Sequence, residues 1–149
     1  MKRILFYGFL FTGIGFLLGE LIFTNKINII KKMSKEDTYY FLQEGVYSDY
    51  NNIQNNLIDI NKKIITKKNN KYHVYVGITK DKEVLDKLIN IYKEKHISVY
   101  PKEMSFNSKE FLINLEQFDL LIKETTDSDQ ILTIEEIVLS NYEEIRKKE

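Results

Sequence analysis

Two stretches of this chain concentrate groups able to recognise a ligand. The first is Tyr39-Tyr-Phe-Leu-Gln-Glu-Gly-Val-Tyr-Ser48, the second Lys71-Tyr-His-Val-Tyr-Val-Gly-Ile-Thr-Lys80. Both are rich in aromatic and β-branched residues, as strands are. Strand alternation puts Phe41 and Gln43 on one side of the first, and Lys71, His73 and Tyr75 on one side of the second. Tyr47 and Ser48 open the loop after the first. Rings, an amide, hydroxyls, an imidazole and a cation are the equipment of non-covalent recognition. Bond-breaking chemistry has little to work with. Cysteine is absent, which removes a thiol nucleophile, disulfides, thiolate metal sites and a lipidated cysteine. His73 and His96 are the only histidines. There is no HExxH, no nucleophile motif and no carboxylate pair placed by spacing. No enzyme activity, catalytic residue, metal or cofactor is therefore expected.

Those strands need positioning elements. Asp49 can cap a helix over 50–61, with Ile53, Leu57 and Ile60 at helical spacing. Residues 62–68 are a short β-prone run, and Asn69-Asn70 signals a turn. Asp81 can cap the next helix, striped by Val84, Leu85, Leu88, Ile89 and Tyr92. Ile97–Tyr100 reads as a fourth strand closed by Pro101. The order β-α-β-β-α-β predicts an α+β fold: a ferredoxin-like, four-stranded sheet with its helices on one face. Tyr72, Val74, Val76 and Ile78 form the uniformly apolar side, which should meet the helices. Phe41, Gln43, Lys71, His73 and Tyr75 then occupy the open face, and Glu44 points inward. Other roles are open to these residues: Gln43 bonding only to a loop, or Phe41 and Tyr75 lying beneath the C-terminal residues.

The balance of 22 basic and 22 acidic residues gives no global field that calls for nucleic acid. Lys, Ile and Asn abound while Ala and Trp are absent, a bias that lowers the weight of any single Lys. Residues 1–24 read as a transmembrane signal-anchor. Ile4–Phe23 is almost wholly apolar, and roughly 20 such residues cross a bilayer core. Glu20 lies near its far end, and no small-x-small cleavage site follows. Gly15 and Gly19 form a GxxxG pair suited to helix association. Lys2 and Arg3 on one side oppose Lys26, Lys31, Lys32 and Lys35 on the other, so charge alone leaves the orientation open. Residues 25–37 are a polar, basic linker.

Residues 38–104 resemble a SPOR domain, the sporulation-related repeat of bacterial envelope proteins. Tyr40-Phe-Leu42-Gln43-Glu44-Gly45-Val46-Tyr47-Ser48-Asp49 follows the first half of its pattern. Tyr72-His-Val74-Tyr75-Val76-Gly77-Ile78-Thr79 follows the second, without the usual Pro-Phe. Glu44 stands where the family places an apolar residue. The resemblance implies binding to peptidoglycan glycan strands stripped of stem peptides, at division or sporulation sites, through a groove on the open sheet face. It also implies a single-pass membrane protein with its C-terminal domain outside the cytoplasm. Sugars offer apolar ring faces, hydroxyls and lactyl carboxylates, which suit Phe41, Gln43, Tyr47, Ser48, Lys71, His73 and Tyr75. The alternative is an envelope protein-interaction scaffold that keeps the fold without glycan binding.

Residues 105–149 lie beyond the resemblance and predict a helical extension. Asn107 or Ser108 can cap a helix striped by Phe111, Leu115, Phe118 and Ile122. Thr133-Ile-Glu-Glu136 matches a capping box that would begin the last helix, with Ile134, Ile137, Val138, Tyr142 and Ile145 inward. The hairpin either packs on the domain or docks another envelope protein.

Overall fold

The computed structural model describes residues 38–57 and 60–147. The signal-anchor, its GxxxG pair and the 25–37 linker lie outside the described residues. Among the described residues, no helix is long and apolar enough to cross a membrane. Glu36–Glu149 forms one compact unit, so the C-terminal helices belong to the same body as the sheet.

The elements run β1 (Thr38–Tyr47), α1 (Tyr50–Asn56), β2 (Ile64–Lys68), β3 (Lys71–Thr79), α2 (Lys82–Glu94), β4 (Tyr100–Ser105), α3 (Lys109–Glu124) and α4 (Ser128–Arg146). The strands form one sheet in the order β2-β3-β1-β4, antiparallel throughout. Asp49 and Asp81 cap α1 and α2, as their positions predict. Asn69 and Asn70 both have positive φ, as a two-residue hairpin turn matched to strand twist requires. After α2, Ile97 N–H donates to Tyr92 and His96 N–H to Lys93. This pair of bonds is a Schellman closure, and it forces His96 to φ 59°, a conformation that favours glycine.

Several boundaries differ from expectation: α1, expected over 50–61, ends at Asn56, with Leu57 as its C-cap. β4 begins at Tyr100 and runs through Pro101, which pairs with Leu42 of β1. Proline lacks the ladder N–H, but β4 is an edge strand, where one donor is dispensable. α4 starts at Ser128, because Asp127 accepts from Gln130 N–H and caps the helix there. The Thr133 hydroxyl instead donates back to Asp129 inside the helix.

The expectation of helices on one face is corrected. Val74 to Thr79 are six consecutive buried residues in an alternating strand, so both sides of the sheet are covered there. Tyr142 of α4 and Phe111 of α3 meet the side bearing Phe41 and Tyr39. Tyr50 of α1 meets Tyr72, on the opposite side of β3 from Tyr75. The reason is supply: the α3 and α4 stripes need burial, and the sheet's second face is apolar enough to provide it. Fully burying each such side chain is worth roughly 1.5–3 kcal/mol.

Two stability outcomes follow. Phe111→Ala, at a fully buried ring touching Tyr39, Phe106 and Tyr142, should cost about 3–5 kcal/mol in denaturant unfolding. His96→Gly relieves the left-handed backbone and should stabilise the unit by about 1 kcal/mol, seen as a higher unfolding midpoint.

Candidate functional site

The seven residues singled out by sequence do not form one open surface. Phe41 and Tyr75 are only 1% and 3% exposed. Their rings meet at 5.6 Å, and Phe41 also meets Tyr142 at 5.3 Å, both edge-on. They belong to the core under the C-terminal hairpin, and the expectation that they line an open face is corrected. Tyr47 pairs with Tyr72 in the β1–β3 ladder, which places it on the reverse side from His73. Its hydroxyl donates to Glu44 at 2.8–2.9 Å, and its ring folds over Gly45. A Cβ on Gly45 would lie 2.9 Å from that ring, so a larger residue there would push the Tyr47 ring aside. Partial burial raises the Glu44 carboxyl, and the Tyr47 bond partly offsets this. Ser48 is exposed and does not cap α1, a role taken by Asp49.

Gln43, Lys71 and His73 do come together. Register shifts flank Gln43 in the β1–β3 ladder, a bulge that stops regular pairing there. The Gln43 Oε1 lies 3.4 Å from His73 Nδ1. Residues directly opposed across strands share a face. By that rule Thr66 joins His73, Lys68 joins Lys71, and Tyr100 joins Gln43. Lys102 opposes Phe41 on the same face. Tyr100 is 65% exposed, a large ring left to solvent. Lys68, Lys71 and Lys102 are exposed, and none has a carboxylate partner among the described residues. Lys68 directly opposes Lys71, and like charges so placed repel. His73 is held below the usual histidine range by partial burial, then by Lys102, Lys68 and Lys71.

The result is a cationic rim around the uncovered end of one sheet face, with an amide, an imidazole and an exposed phenol. It can offer hydrogen bonds and positive charge to an anionic, hydroxyl-bearing ligand. Lys102 lies beyond the strand end expected at Pro101, and Tyr100, inside the expected strand, is tied to Gln43 only by the pairing of β4 with β1. Lys68 falls in the short β-prone run 62–68, where nothing in the sequence sets it apart from its neighbouring lysines. The register of β4 on β1 is the signal that would have found the first two. A cleft of about 470 Å³ is lined by Ile89 and Lys93 of α2, by residues 96–99 after it, and by Tyr100. Among the described residues, no group of three or more acidic or histidine side chains could hold a metal.

No protein family, curated protein or solved structure matches this chain. The resemblance noted above therefore rests on the two motifs alone.

The rim's electrostatics are measurable. His73 should titrate below 6.5 by NMR, and Lys102→Gln should move its midpoint upward, though not fully, since burial is the larger cause. Because the folded state disfavours the imidazolium, His73 should cost stability as pH falls from about 6.5 toward its lower folded midpoint.

Proposed function

We propose that this chain is a membrane-anchored, non-catalytic peptidoglycan-binding protein that recognises glycan strands stripped of stem peptides. In this reading residues 1–24 span the cell membrane once and the domain lies outside the cytoplasm, at division or sporulation sites. The SPOR resemblance and the ferredoxin-like strand order support it. The observation that carries it is the rim: three lysines, without acidic partners among the described residues, around Gln43 and His73 at one end of the sheet. Stripped glycan keeps its lactyl carboxylates and hydroxyls, which match cations and an amide. The ligand contacts become Gln43, His73, Lys68, Lys71, Tyr100 and Lys102, with Phe41 and Tyr75 as the buried floor.

A second reading is an envelope protein-interaction scaffold. It is favoured by the burial of Phe41 and Tyr75, which removes those two rings from the surface. The full chain in mild detergent, mixed with amidase-treated and untreated sacculi, separates the two. Preferential binding to treated sacculi is expected, falling with salt because the rim is exposed. Lys71→Glu should weaken it about tenfold or more, equivalent to at least 1.4 kcal/mol. Absence of binding to treated sacculi would replace the glycan reading with the scaffold.

A further inference from the structure

The α3–α4 hairpin is fastened to the end of β3 by two buried carboxyl groups. Glu135 of α4 is 1% exposed, and its Oε1 accepts from Ile78 N–H at 2.6 Å. Its Oε2 is buried with no hydrogen-bond partner. Asp119 of α3 is also buried; it accepts from the Thr79 hydroxyl at 2.6 Å and from Lys80 N–H at 3.0 Å. Three consecutive residues are thus held from two helices. A Cβ on Gly77 would press on Leu42 at 3.1 Å and reach only ordinary contact with Oε1, at 3.4 Å.

A buried carboxylate ordinarily has a cation beside it. Among the described residues, no cation pairs with Glu135. From α2, the Tyr92 hydroxyl donates to the Val76 carbonyl nearby. Glu136 of α4 and Asp119 of α3 add negative charge to the same region. Asp81, at the start of α2, bears on Asp119, but its own partner is Lys123, which also meets Glu83. Lys80 Nζ is engaged by Glu116. A neutral acid answers both demands on Glu135: Oε1 still accepts from Ile78, and a proton on Oε2 removes the charge.

We propose that the α3–α4 hairpin is a lid held shut over Phe41 and Tyr75 by protonation of the buried Glu135 and Asp119 carboxyls. Opening breaks an O–H bond on each carboxyl, the proton passes to bulk water or hydroxide, and the carboxylate moves to solvent with its helix. The opened lid bares two aromatic rings beside the cationic rim. That last step rests on the glycan reading; the lid itself does not.

The sign follows from burial, which pushes Asp119 up to about 7 and Glu135 well above the carboxylate range. In the unfolded or undocked chain both ionise near pH 4. Docking is therefore strongest at or below about pH 4 and weakens as pH rises from there through about 7, where Asp119 ionises in the folded chain.

Hydrogen exchange on the full chain in detergent, normalised for intrinsic rates, tests this at pH 5.5 and 8.5. Protection of α3 and α4 amides should fall at least tenfold at the higher pH, while the β2–β3 hairpin changes less. Glu135→Gln, neutral throughout, should flatten that dependence. Equal protection at both pH values, or an unchanged dependence in Glu135→Gln, would overturn the lid. If that variant does not fold, carboxyl NMR of the wild-type chain decides, since titration of Glu135 in the ordinary carboxylate range also overturns it. A lid that opens without any glycan binding at either pH leaves this proposal standing and removes the glycan reading instead.

Discussion

Phe41 lies between Tyr75 and Tyr142, and this chain of edge-on rings is what joins the sheet to the C-terminal helices. Tyr142 passes the contact on to Phe111 and Phe106, and Phe111 returns it to the sheet at Tyr39. Ring edges are positive and ring faces negative, so such a cluster fixes geometry as well as burying area. Everything exposed on that face is defined by where the cluster ends. The rim at Gln43, His73 and Lys71 is accessible because it lies beyond the reach of the hairpin.

Polar groups at the helix junctions fall into two kinds. Lys87 of α2 donates to the carbonyls of Ile122, Lys123 and Thr125, so one cation closes the exposed end of α3. The Lys123 ammonium meets Asp81 at 2.5 Å, tying the same end of α3 to the N-cap of α2. These half-exposed pairs are satisfied on both sides. Glu135 is the opposite case, enclosed and short of a partner for one oxygen. An uncompensated group persists in a core only when the surrounding packing holds it there.

The element order was legible because its signals are local. Asp49, Asp81 and Ser108 each cap the helix that follows them, and alternation marks β1 and β3. What the sequence left hidden depended on competition or on distance. Thr133 looks like a cap until Asp127, six residues earlier, starts the helix first. Glu135 looks like a favourable charge near a helix start, and only the path of α4 over Ile78 buries it. Phe118 was placed in the α3 stripe, yet Asp119 beside it is the residue that turns inward to Thr79. In the candidate site, alternation found Gln43, His73 and Lys71. It could not find Lys102, whose place is set by pairing with a strand some sixty residues away.

The strand order also dictates how the chain can assemble. β2 and β3 are joined by two residues and can pair as soon as both exist. α3 and α4 are likewise sequence neighbours. β1, although first of the four strands, touches neither kind of local partner: both of its neighbours lie far downstream. Closing those loops costs entropy before any contact rewards it. A growing chain therefore carries β1, with Tyr39, Phe41 and Leu42 bare, until β3 and then β4 have been made. The first strand made thus waits longest for its partners, and that interval is when this protein is most open to chaperones and to wrong partners.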